Sequence, residues 1–151
     1  MSESHAHNAA VSVADTIGTW HRIATWTWRQ NPQPRQLSRQ DRRFLIESTD
    51  WRNDPDPEAV RECIENEARE YPLSLCVRCE AWHPVGGRLD PDSYEILLCT
   101  GGPAVRIIGD LNCADWPVDP VLQCQDWGTP WQPVECDTRA LVWFAELFTY
   151  A

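Results

Sequence analysis

The sequence predicts an α+β fold with N-terminal helices, a central antiparallel sheet of about four strands and a C-terminal apolar helix. Apolar residues recur at helical spacing before Pro72 and at a period of two after it, and helical spacing returns after Asp137. Charge divides the chain as well: the first 52 residues carry 7 Arg and 5 Asp+Glu, whereas the remainder carries 6 Arg and 18 Asp+Glu. The expected organisation is a disordered tail (1–14), a Trp/Arg-rich helical extension (15–52) and an acidic α+β domain (53–151). At 151 residues, with 42% hydrophobic content, the chain is long enough for one sizeable core.

Residues 1–14 show no periodicity. From Asp15 or Thr16 as N-cap, Ile17, Trp20, Ile23 and Trp28 predict a helix to about Arg29, although Gly18 weakens it. Pro32 and Pro34 make the next stretch an extended connection. Ser38 then caps a short helix with Phe44, Leu45 and Ile46 on its apolar side. Asp56 as N-cap and Pro57 at the first helical position start a third helix, which Pro72 stops. Its apolar side is Val60, Cys63, Ile64, Ala68 and Tyr71, with Glu58, Glu62 and Glu65 opposite and Glu67 awkwardly near the apolar side.

Leu73, Leu75, Val77, Cys79 and Ala81 alternate with polar residues, which predicts a half-buried strand. Tyr94–Thr100 and Ala104–Gly109 are two more, joined through Gly101-Gly102-Pro103, and a fourth lies near Val121–Asp126. The final helix runs from Asp137 or Thr138 to Tyr150. It is apolar almost all round, so the sheet, the N-terminal segment or a second subunit must cover it; homo-oligomerisation is one expectation from this.

Neither a secretion signal nor a stretch of about 18 apolar residues is present, so a cytoplasmic, soluble protein without membrane contact is expected. Seven cysteines, an odd number, suit reduced thiols. All 13 cations are Arg, a planar fork suited to carboxylates, phosphates and indole faces.

Three constellations carry possible chemistry. Cys76 and Cys79 match C-x-x-C, with His83 as a third ligand for a metal-dependent or thiol enzyme. On a strand, however, residues three apart point to opposite faces, and no second paired half-site exists. Trp20, Arg22, Trp26, Trp28, Arg29, Arg35, Arg39, Arg42 and Arg43 interleave aromatics with cations, as single-strand nucleic-acid binding requires. The rival reading makes those indoles core anchors, and a net charge of −10 opposes direct nucleic-acid binding at long range. The third is the acidic set Asp54, Asp56, Glu58, Glu62 and Glu65, a surface that could imitate phosphates in the cationic groove of a host or defence-system protein, with Trp116 and Trp131 as anchors. Its bland alternative is a solubilising surface. No nucleotide-cradling glycine motif is present and no cofactor is expected.

Pro72-Leu-Ser-Leu, Trp82-His83, the run Glu95-Ile-Leu-Leu-Cys-Thr-Gly-Gly-Pro-Ala-Val-Arg106-Ile and the run Gln125-Asp-Trp-Gly-Thr-Pro-Trp131 carry a resemblance over 71–131. In these residues the chain resembles a family of small uncharacterised proteins encoded on integrative conjugative elements, plasmids and prophages of proteobacteria. The family's short aromatic C-terminal tail has a divergent counterpart in Leu147-Phe-Thr-Tyr150. The resemblance implies a mobile-element setting, in which small acidic proteins often act against host defence, including CRISPR effectors and restriction enzymes. The expectation is therefore a non-enzymatic, acidic anti-defence inhibitor of anti-CRISPR type.

Overall fold

The computed structural model describes residues 4–150 of the chain. Helix α1 (His5–Thr27) begins where the Ser4 hydroxyl accepts the His7 N–H, and Asp126 of the sheet region accepts the Ala6 N–H at 3.1 Å. The tail expectation is corrected over residues 5–14; residues 1–3 lie outside the described residues. Ala6, Ala10, Val13 and Ile17 are buried at intervals of four, three and four, so one stripe of small side chains seats the first turns against the body. The helix ends at Thr27 rather than Arg29, and a short 3-10 turn (Pro34–Gln36) breaks the expected extended connection.

Helix α2 (Arg39–Ser48) starts at Ser38, whose hydroxyl accepts the Asp41 N–H. Helix α3 (Pro57–Glu70) starts at Asp56, whose carboxylate accepts the Glu58 N–H at 3.0 Å. Only Val60, Ile64 and Ala68 of α3 are buried. Cys63 is exposed, a correction, because α3 packs chiefly on α1 and one helix covers a narrow stripe; the same geometry leaves Glu67 in solvent.

The sheet has five antiparallel strands in chain order: β1 (Ser74–Arg78), β2 (Ser93–Cys99), β3 (Ala104–Leu111), β4 (Pro117–Gln125) and β5 (Gln132–Pro133). The fold class is α+β as expected, with one strand more. Tyr94, Ile96, Val105, Ile107, Leu122 and Cys124 face the helices and are buried. Helix α4 (Thr138–Ala145), capped by Asp137, lies between β4 and α1, which bury Leu141 and Phe144. The chain itself thus covers Leu141 and Phe144, while Val142, Trp143, Leu147 and Phe148 stay partly exposed. Residues 15–52 belong to the same core and are not an attached extension: Trp20 meets Tyr71 and Phe144 at ring-centroid distances of 5.0 and 6.4 Å, and Trp26 meets Trp51 at 5.2 Å. Burial of each such large side chain contributes about 1.5–3 kcal/mol.

β1 departs most from expectation. Its residues alternate as predicted, with Leu75 and Val77 in register with the buried Ile96 and Tyr94, yet all five are exposed. The helix layer sits over β3 and β4, and β1 at the sheet's edge projects beyond it. Among the described residues no helix packs on the opposite face of the sheet.

Candidate partner-binding surfaces

The start of α3 and the loop before it gather the predicted carboxylates. Asp54, Asp56, Glu58 and Glu62 are exposed and have no cation within ion-pair distance among the described residues. Glu65 differs, since it is half-buried and lies 3.6 Å from Arg69. The other arginine of α3, Arg61, turns to the end of α1: it donates to the Thr27 hydroxyl and stacks on Trp28 at 3.4 Å. Asp56 and Glu58 also serve the helix, because negative charge at an N-terminus opposes the positive end of the macrodipole. Glu62 has no such role, and as the i+4 neighbour of Glu58 it costs the isolated helix about 0.2–0.5 kcal/mol by like-charge repulsion.

The two tryptophans assigned to this surface fall elsewhere. Trp116 is half-exposed at the β3–β4 turn. Trp131 stacks on the Arg106 guanidinium at 4.0 Å, on the helix-free face of the sheet. Arg106 also meets Glu95 at 2.7 Å and Gln123 at 2.9 Å, so residues from β2, β3, β4 and the approach to β5 form one polar cluster. Beside it runs a groove of about 640 Å³ whose lining includes Cys76, Ile108 and Val121. The alternation of β2 and β3 carried this signal in sequence, but the missing cover on that face did not.

The Trp/Arg segment separates into two parts. Trp20 and Trp26 are buried, which corrects their assignment as base-stacking groups, while Trp28 is 72% exposed with the Arg61 guanidinium stacked on its ring. Arg22 grips the buried Asp41 carboxylate through two bonds of 2.7 and 3.0 Å. Arg39, Arg42, Arg43 and Arg52 line a groove of about 760 Å³ along α2, with Arg43 paired to Glu47. Arg29 and Arg35 are exposed outside it.

Cys79 and His83 come together, with Sγ 2.6 Å from Nε2, whereas Cys76 belongs to the groove on the helix-free face. Among the described residues no group of three or more His, Cys, Asp and Glu is arranged to hold a metal ion. No helix among them is long and apolar enough to cross a membrane.

What the sequence did not disclose is how many apolar side chains of β1 and of the connection after it lie in solvent. Of the eleven exposed large hydrophobic residues among those described, six fall between residues 73 and 89: Leu73, Leu75, Val77, Trp82, Val85 and Leu89. Concentrations of this kind mark interaction surfaces.

Fold and surface together define an α+β protein with segregated charge, carboxylates leading into α3 and guanidinium groups along α2. Comparison with protein-family models, curated proteins and solved structures finds no match to this chain.

Proposed function

We propose that this chain is a non-enzymatic binding protein that presents the α3 carboxylates to a cationic, nucleic-acid-binding surface of a host or defence-system protein. It acts there as an anti-defence inhibitor of anti-CRISPR type encoded by a mobile element. The observation that carries the reading is that Asp54, Asp56, Glu58 and Glu62 stand exposed without a cation while both arginines of α3 are engaged elsewhere. Charges left uncompensated in this way speed association with an oppositely charged groove and exclude its usual polyanion. The mobile-element setting rests on the resemblance over residues 71–131.

Capture from host extract is expected to retain a basic nucleic-acid-binding protein. Glu58→Arg with Glu62→Arg should weaken that complex by about 100-fold at low salt, since each reversal turns an attraction into a repulsion. Circular dichroism should show the fold unchanged, because both side chains are in solvent. Unaltered affinity at low ionic strength would remove this reading.

A second reading, single-strand nucleic-acid binding, draws support from the arginine groove along α2. Buried Trp20 and Trp26 take away the stacking platform that such binding uses. Titration with a single-stranded oligonucleotide is therefore expected to leave tryptophan fluorescence unquenched even at low salt. Quenching that salt reverses would put the second reading in place of the first. The Cys79–His83 contact is the support for metal-dependent or thiol chemistry, and elemental analysis for zinc tests its metal form.

A further inference from the structure

β1 is an outer strand of the sheet, and its outward edge is unprotected. Within Ser74–Arg78 there is no proline, no lysine and no register shift, the devices that usually blunt an edge. Leu75 and Val77 lie on the helix side yet are 42% and 50% exposed, because the helices stop short of them.

Backbone direction determines what this edge can bind. The Arg78 carbonyl accepts the Asp92 N–H at 2.9 Å, so the backbone of Arg78 points toward β2. In an antiparallel ladder that direction alternates along the strand. Cys76 and Ser74 therefore point inward with Arg78, and Leu75 and Val77 present their N–H and C=O groups outward.

We propose that β1 pairs antiparallel with β1 of a second copy, about a two-fold axis at Cys76, and joins two sheets into one. In this register Leu75 of each copy faces Val77 of the other, and the two pairs exchange four backbone hydrogen bonds. The same pairs set leucine against valine on the helix side, a favourable cross-strand match. Ser74 faces Arg78, and Cys76 faces itself in a non-hydrogen-bonded pair, where Cα atoms approach to about 4.5 Å.

The occupant follows from charge as well as from shape. Each chain carries a net charge of −10, which opposes self-association unless the seam is neutral. It is neutral: Arg78 is the one charged residue of the strand, and Glu80 holds it at 2.7 Å. Trp82, Val85 and Leu89, in the connection that leaves β1, are exposed as well.

Light scattering with size exclusion on the full chain under reducing conditions tests the proposal. The expected mass is twice 17.4 kDa, falling to one chain on dilution. Leu75→Glu with Val77→Glu places four carboxylates at the seam and should raise the dimer dissociation constant at least about 100-fold, with the circular dichroism spectrum unchanged. A short bismaleimide should cross-link wild-type dimers through Cys76, and Cys76→Ser should abolish the product. A single-chain mass at every concentration would overturn the proposal, as would a dimer indifferent to the double substitution. Cross-linking that survives Cys76→Ser unchanged would overturn the register.

Discussion

Phe144→Ala is expected to lower the folding free energy by about 3–5 kcal/mol, the range for deleting a fully buried aromatic ring. Phe144 has no solvent exposure and occupies the point where α1, α4 and the end of α3 meet. Its ring stacks on Trp20 at 6.4 Å, meets Tyr71 edge-on at 6.4 Å and Phe148 edge-on at 5.2 Å. Alanine would leave a cavity beside the rings of Trp20, Tyr71 and Phe148. Native domains are stable by about 5–15 kcal/mol, so the loss is a large share of the total. Urea unfolding measures it, with the midpoint lowered and the slope unchanged. A change below about 1 kcal/mol would mean that the three aromatic contacts are not formed as described.

Gly109→Ala should be nearly as damaging, for the opposite reason. Gly109 lies opposite Tyr94 in the β2–β3 ladder, and the phenol fills the space that a Cβ at this position would take. A methyl group there would overlap the ring, which cannot swing away because Tyr150 packs against it at 4.9 Å. Overpacking of this kind costs about 1–3 kcal/mol, and at a site closed on both sides the upper end is expected. The Tyr94 hydroxyl is buried with no hydrogen-bond partner among the described residues. Burial, together with Asp110 and Asp119, also pushes its pKa well above the usual tyrosine range, so it stays protonated. Tyr94→Phe removes an unsatisfied polar group and should be neutral or stabilising by up to about 1 kcal/mol. Combined with Gly109→Ala it should recover part of the loss, because the hydroxyl makes the closest approach to the added methyl. A double-mutant cycle reads this directly, and strictly additive effects would show that the two residues do not touch.

The polar boundaries of α2 and α3 were legible because capping is local. Ser38 accepts an N–H three residues on and Asp56 one two residues on, and the residues that make those bonds are neighbours in the chain. The first turns of α1 were not legible, although Ala6, Ala10 and Val13 have helical spacing. Alanine is too weakly apolar to announce a buried face, and its value here comes from allowing close approach to a surface built by residues far along the chain. The candidate site divides the same way. That Glu58 and Glu62 share a helix face could be read from their spacing. That Arg61 turns to Trp28 and leaves them without a cation, while Glu65 keeps Arg69 at 3.6 Å, could not.

By itself the sequence determined the order of helices and strands, the alternation of β1 and the separation of arginine from carboxylate along the chain. Each of these follows from residues within a few positions of one another, where capping, periodicity and backbone sterics act. Tertiary structure decided which faces are covered. The helices settled over β3 and β4, and this buried Trp20 and Trp26, enclosed Phe144 and left Leu75 and Val77 in water. Periodicity states that a strand has two faces, but whether a face is buried depends on its place in the sheet and on where distant helices come to rest.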